Sequence, residues 1–457
     1  MRSKGETPLC DALRAYAAGN PLRGHMPGHK GKGLPLAELS PLSALDVTEL
    51  TPTGDLFAGG GAIEAAERLW AEAFRLSSCL FLTGGSTQGL YAALTLAAKP
   101  GETILLDRAS HRAAYHALAL LGLNPVYLSR SWLPRPALPG PVDPQEVERQ
   151  LAAHPDIRAV CLTSPSYYGV LCDLPAIAAV TRRHGAMLVV DAAHGAHLPF
   201  LGQQDFSCAD LLVTSAHKTL PAMGQAALLF SGDGFSHRDL RRAGSLYGSA
   251  SPSYPIMASL DSARAFLEGE GLPKYRETVR LVAGLRERLP ALTAADAPLD
   301  PCRLTVLCRD GLALRRTMEA QAIFPELATP AQVVFILTCA DGVETAARLE
   351  ACLAPLLAGE AVTPPPLIPP PPPEIVLSPR AALFSPAERL PLARCVGGIS
   401  AGSLAPFPPG IPIVAPGERI TKKTIAYLFR IGYNMREEIE VVPGTAGELP
   451  EEQEVEA

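Results

Sequence analysis

Along residues 62–271 the chain alternates between two hydrophobic rhythms. Stretches with apolar residues three and four apart read as amphipathic helices: AIEAAERLWAEAF (62–74), STQGLYAALTLAA (86–98), HRAAYHALALLG (111–122), PQEVERQLAAH (144–154) and LPAIAAVTRRHG (174–185). Each precedes a short run of continuous apolar residues: CLFLTG (79–84), TILLD (103–107), PVYLS (125–129), AVCLTSP (159–165) and AMLVVDAAH (186–194). DLLVTSAHK (210–218) and QAALLFSG (225–232) follow. Runs of this length between helices predict strands buried on both faces. The expected fold class is α/β, a mostly parallel sheet covered by helices, with smaller α+β parts toward the C-terminus. In such sheets ligands sit outside the carboxyl ends of the strands, so chemistry is sought there.

Outside this region the pattern changes. Residues 1–61 are rich in Gly and Pro and read as an extended arm with a short helix. After 62–271, the large domain, come helical stretches IMASLDSARAFLEGEG (256–271) and YRETVRLVAGLRERL (275–289), leading into a smaller α+β domain over 272–360. TPPPLIPPPPPE (363–374) marks a boundary, and 361–374 reads as a semi-rigid polyproline connector. A C-terminal module follows over 375–447, then an acidic tail, 448–457, of disordered composition.

Composition narrows the function classes. With 457 residues, 47% of them hydrophobic, several cores can be buried. A net charge of −6 without a long basic run argues against nucleic acid and is compatible with a cationic small substrate. The ten cysteines are scattered, with no C-x-x-C, which suits a reduced compartment. The N-terminal residues lack a signal-peptide apolar core, and no long apolar run suggests a membrane span. A cytoplasmic location, with no membrane partner, is expected.

The strand ends carry a short list of polar residues. After CLFL come Gly84, Gly85, Ser86 and Thr87 opening a helix. Glycines and hydroxyls at a helix start can hold a phosphate on backbone N–H groups, although an ordinary capped turn reads the same way. His111 opens the helix after TILLD. Asp191 ends AMLVV: it is an N-cap, or a counter-charge for a protonated ring nitrogen. Ser215, His217 and Lys218 follow DLLVT, and a lysine just past a buried strand is the type of group that forms a Schiff base. An acid for a pyridinium, an amine for an aldehyde and a cradle for a phosphate together describe pyridoxal 5′-phosphate. His194 and His197 form H-x-x-H, and His25 and His29 lie close together, but no third ligand is evident and no metal is expected.

Longer motifs give a resemblance. They are HMPGHKGKG (25–33), DVTEL (46–50), GGSTQG (84–89), DRASHRAAYHAL (107–118), LTSPSYYGVLCDL (162–174), VDAAHGAH (190–197), TSAHKTLPAMGQ (214–225), SASPSYPIMASLDSAR (249–264) and PFPPGIPIVAPGERIT (406–421). With these the chain resembles the fold-type I, aspartate aminotransferase-like pyridoxal-phosphate enzymes, and among them the Orn/Lys/Arg decarboxylase family. By this resemblance a short form is expected, without the N-terminal domain of the family's long bacterial forms.

The resemblance implies α-decarboxylation of lysine, arginine or ornithine to a diamine or agmatine. By it Lys218 is the Schiff-base lysine and Asp191 the partner of the pyridine nitrogen. His111 stacks on the cofactor ring, and His194 lies beside ring or substrate. Gly85, Ser86, Thr87 and Ser215 hold the phosphate, and His217 places substrate or handles a proton. Glu418 meets the distal cation of a small basic amino acid, with Asp46 or Glu49 as further acidic candidates. The GSASPSY segment (248–254) implies a homodimer with shared sites. Departures are Ala192, Ala216 and Phe407, where the family often has Glu or Ser, Thr or Ser, and Tyr. An aminotransferase or other lyase on the same fold would need an arginine for the α-carboxylate, with Arg264 and Arg394 as candidates. A non-catalytic cofactor-binding protein is the remaining alternative.

Overall fold

The structure is a computed structural model that describes residues 5–358, 368–406 and 410–446. The expectations for Phe407, for the tail 448–457 and for connector residues 361–367 fall outside the described residues. Connector residues 368–374 form neither helix nor strand.

The central sheet has seven strands: β1 (Ser78–Leu82), β2 (Thr103–Asp107), β3 (Asn124–Leu128), β6 (Ile157–Thr163), β7 (Met187–Asp191), β8 (Leu211–Thr214) and β9 (Ala227–Ser231). A two-residue hairpin, β4 (Trp132–Leu133) and β5 (Leu138–Pro139), lies between β3 and β6. The strand order is β1-β9-β8-β7-β6-β2-β3. β9 is antiparallel to both neighbours, and every other pairing is parallel. The mostly parallel sheet read from the apolar runs is therefore present, with one reversed strand. All five residues of β1 and of β9 are buried, as a strand covered on both faces requires.

The covering helices include Gly61–Phe74, Gly85–Ala97, Arg112–Leu121 and Leu174–Arg183. Phe74 stacks on Phe230 at 4.4 Å, and buried Trp70 donates its indole N–H to Leu260 O at 3.1 Å. Each such side chain contributes about 1.5–3 kcal/mol by leaving water. Gly89 sets the seating of one helix. A Cβ there would lie 2.7 Å from Val213 Cγ1 and 2.8 Å from Leu82 Cδ1. Any side chain would lift helix Gly85–Ala97 off β8, the strand that leads to Lys218. At the far ends of β2 and β6, Arg130 and Asp107 form a buried ion pair, Nη2 to Oδ2 2.5 Å. The same guanidinium donates to Thr163 O, so the pair ties the two strand ends together.

Helix Tyr254–Phe266 leaves the sheet and is joined through a wide turn, Leu267–Gly271, to helix Leu272–Arg288. Gly269, at φ −116° and ψ −109°, breaks what the sequence suggested as one helix to residue 271. The smaller unit has β10 (Arg303–Leu307), β11 (Leu327–Ala328) and β12 (Gln332–Ile336) in the antiparallel order β10-β12-β11. Its own core includes Val282, Leu304, Val306, Met318, Val333 and Leu353. The C-terminal module pairs β13 (Glu388–Pro391) with β14 (Glu438–Val441) over helix Lys422–Arg430, around Leu392, Ile420, Leu428 and Val441. In the N-terminal arm, helix Pro8–Ala18 is anchored by Asp261, whose carboxylate accepts the N–H groups of Leu9 and Cys10 at 3.0 Å each. The cysteines are free thiols. Among the described residues no helix is long and apolar enough to cross a membrane.

Candidate active site

A cavity of about 400 Å³ opens at the carboxyl ends of the parallel strands. Gly85, Ser86, Thr87, His111, Asp191, His194, His217 and Lys218 all line it. The sequence placed these residues over more than a hundred positions, and the sheet gathers them because their strands all end on the same side.

Beyond β1, Gly85 stands at φ +71°, where a residue with a Cβ is strained. That conformation turns the chain into helix Gly85–Ala97, whose first N–H groups have no partner within the helix. Beyond β2, His111 is the N-cap of helix Arg112–Leu121, its Nδ1 accepting the N–H of Ala113 at 3.2 Å. Nδ1 is thereby the acceptor, and Nε2 carries the proton of the neutral ring. Beyond β7, Asp191 is buried, and one oxygen accepts the Ala193 N–H at 3.0 Å. Burial pushes its carboxyl up, and the Lys218 cation opposes the shift. Beyond β8, the His217 Nδ1–H donates to Ala226 O at 2.9 Å, which leaves Nε2 unprotonated in the neutral ring. Burial holds the Lys218 amine below the usual lysine range, against the pull of Asp191 and Glu326.

His194 joins these groups. Its Nε2 lies 3.2 Å from Lys218 Nζ, and its Nδ1 lies 3.2 Å from Arg303 Nη2. Tyr167 meets its ring edge-on, with centroids 4.7 Å apart and planes at 62°. The Tyr167 hydroxyl donates to the carboxylate of Glu326, which also lines the cavity. A larger cleft of about 590 Å³ is also lined by Glu326, but no residue from the central sheet lines it.

These residues fit pyridoxal 5′-phosphate on structural grounds. Thr163 Oγ1, in the cavity wall, is buried without a hydrogen-bond partner, which hydroxyls avoid unless a ligand completes them. The Gly85 N–H is bonded to Gln225 O at 3.0 Å, and beyond it the helix start presents the N–H groups and hydroxyls of Ser86 and Thr87, donors suited to a dianion. Asp191 offers a buried carboxylate, and Lys218 an amine that burial holds below the usual lysine range.

Several expectations come out differently. Glu418 does not line the cavity. It is buried, and its carboxylate accepts from Arg108 Nη2 and from the Ala415 N–H, each at 2.9 Å. Asp46 pairs with His29 at 3.1 Å, and Glu49 accepts from the Thr48 hydroxyl; neither lines the cavity. Arg264 is bound by Glu268 at 2.6 Å, and neither it nor Arg394 lines the cavity. His197 turns from His194 to pair with Asp300 at 2.9 Å. Ser215 is buried beside the cavity rather than on its surface. Conversely, Glu326 and Arg303 were not singled out. They belong to the smaller unit, about a hundred residues beyond Lys218, and no motif marks them. Tyr167 lies inside the motif LTSPSYYGVLCDL (162–174), which marks the segment but gives this residue no role of its own.

The buried imidazoles should make stability fall with acid. Burial and the Lys218 charge lower His111 from 6.5 to about 4, and burial lowers His194 well below its usual value. The unfolded chain takes up these protons first, so native stability falls as pH drops from about 6.5 toward about 4. Denaturant melts across that range should show the decline, and H111N should flatten it. An unchanged slope in H111N would remove His111 from this account.

Comparison with known proteins places the chain. The model of the Orn/Lys/Arg decarboxylase major domain matches residues 7–303, and that of the C-terminal domain of the same decarboxylases matches 371–449. The uncharacterized protein YaaO of Bacillus subtilis is 33% identical over 455 residues, covering 93% of this chain and 94% of its own. The arginine decarboxylase of Bacillus subtilis is 29% identical over 463 residues, covering 94% of each. Among solved structures, the Francisella novicida lysine decarboxylase LdcF superposes with a TM-score of 0.81 at 19% identity, over 96% of this chain and 81% of that one. The last likeness is one of fold.

Proposed function

The chain belongs to the Orn/Lys/Arg decarboxylase family, whose members are pyridoxal-phosphate-dependent carboxy-lyases, and on that premise we propose that it converts arginine to agmatine and carbon dioxide. Decarboxylation of a basic amino acid follows from the family. Arginine is the finer step. It is supported by the arginine decarboxylase that matches along nearly its whole length, and by an acidic group, Glu326, in the cavity wall.

The observation that carries the reading is the convergence of Lys218, Asp191 and the Gly85–Thr87 helix start on one cavity. The bound cofactor supplies an electron sink for the pair left when the Cα–carboxylate bond breaks. The protein's residues do the rest. Asp191 holds a proton at the pyridine nitrogen and keeps it charged. Gly85, Ser86 and Thr87, with Ser215 behind them, hold the phosphate. His111, neutral and fixed by its N-cap bond, covers the ring. Lys218 would attach the cofactor through its amine, and once released it could keep the proton that the substrate's ammonium group gives up and return it to Cα. His217, with Nε2 unprotonated in the neutral ring, could take the proton that the substrate's ammonium group gives up and deliver it to Cα. Burial among His194, Tyr167 and β7 keeps water from competing at these atoms.

Glu326, steadied by the Tyr167 hydroxyl, meets the substrate's distal cation. A charge-assisted bond of this kind is worth about 1.5–3 kcal/mol. E326Q should therefore raise KM for arginine roughly ten- to a hundredfold, with a smaller change in kcat. Steady-state kinetics on arginine, lysine and ornithine, with amines identified by mass, tests both points. An unchanged KM in E326Q removes Glu326 from the role, and a higher kcat/KM for lysine or ornithine overturns arginine as substrate. The exposed Ser249–Ser251 loop belongs to the same proposal, as the segment that reaches a second copy's site in a homodimer.

A further inference from the structure

Arg303 begins β10 in the smaller unit, is almost fully buried, and has no place in the chemistry described above. A guanidinium has only donors. Its 3.2 Å contact with His194 Nδ1 therefore makes that nitrogen an acceptor. The imidazole is then neutral and must carry its one N–H hydrogen on Nε2, the atom 3.2 Å from Lys218 Nζ. Two donors cannot share one hydrogen bond, so the nitrogen of Lys218 must be the acceptor, and only an uncharged amine accepts.

We propose that Arg303 is a positioning residue for Lys218: by donating to His194 Nδ1 it fixes the tautomer whose Nε2–H holds the lysine as a free amine. The inference rests on Lys218 being the reacting amine. It adds a reason, built from the smaller unit, for that amine to be ready to attack an aldehyde at neutral pH.

The surrounding charges are consistent with this. Lys218 is faced by Asp191 from the end of β7, which favours its cation, and by Glu326 from the smaller unit, which does the same. Against them stand burial and the Arg303 charge. His194 is faced by His111 from the helix start after β2, by His217, by Tyr167 from the loop after β6, and by Lys218 and Arg303. Asp300, on the loop before β10, lies 3.9 Å from Arg303 and is itself bonded to His197. The tautomer is therefore imposed from the smaller unit, and no carboxylate among these groups bonds to His194.

The test reads the lysine itself. The full-length chain, stripped of cofactor, is pulsed with acetic anhydride at a series of pH values, and acetylation of the Lys218 peptide is followed by mass spectrometry. R303M should move the midpoint up by about one pH unit or more, with R303K falling nearer the wild type. In an H194F background the R303M shift should shrink, because the imidazole that transmits it is gone. An unmoved midpoint in R303M, or an equal shift with and without His194, overturns the relay. Should R303M not fold, nitrogen-15 spectra of the unmutated chain decide: a protonated Nε2 with an acceptor Nδ1 supports the relay, and a protonated Nδ1 overturns it. Loss of cofactor attachment at Lys218 in the unmutated chain would instead sink the reading on which the relay rests.

Discussion

K218A should lose decarboxylation by a factor of about 10³ or more, because one residue serves two steps. In the proposed reaction Lys218 would first hold the cofactor through its amine and later, once protonated, return that proton to Cα. A positioned proton-transfer group alone contributes about 10²–10⁴ in rate. The loss should not be one of folding. A buried amine is costly to keep out of water, so the stripped K218A chain should melt no lower than the wild-type chain in the same state. Turnover and thermal melts on the same preparation separate the two. Activity within tenfold of wild type would remove Lys218 from the chemistry, and a collapsed melt would make its role structural.

D191N should follow with a loss of about 10²–10³ in kcat, the usual effect of deleting one preorganised charge from a water-excluded site. Asparagine keeps the shape and can still accept the Ala193 N–H, which is 3.0 Å from the carboxylate. It cannot carry the negative charge that, in the proposed reaction, would hold a proton at the ring nitrogen. The loss should fall on kcat, with cofactor still bound through Lys218 and the phosphate cradle. Measuring cofactor absorbance beside turnover shows whether binding or catalysis failed. A kcat within a few-fold of wild type would make Asp191 an N-cap only, which was the other reading of its position.

The sheet and most of its site were legible in the sequence for one physical reason. Strands buried on both faces must be apolar along their length, so a polar residue at the end of such a run stands out. Asp191, Ser215, His217 and Lys218 were visible in that way, and His111 and Ser86 by their places at helix starts. The order of the strands was not visible, nor was the reversal of β9, because the run QAALLFSG reads the same in either direction. Gly269 hid a break inside a pattern that otherwise continues as a helix.

The misplacement of Glu418 and the omission of Glu326 and Arg303 share a different cause. Glu418 is bonded to Arg108, 310 positions away in the sequence, and that pairing takes a carboxylate that looked free. Glu326 reaches the cavity, and Arg303 reaches His194 behind it, only because the smaller unit packs against the strand ends. No periodicity or spacing records such a contact, and a charged residue in a short loop reads as a solvated surface. Tyr167 fell between these cases, since its segment was marked but its ring contact with His194 depends on the fold.

The most direct measurement is to load the full-length chain with pyridoxal 5′-phosphate, reduce it with borohydride, digest it and map the modified lysine by mass. The account predicts the phosphopyridoxyl group on Lys218 alone. Its appearance on another lysine, or on none, would contradict it.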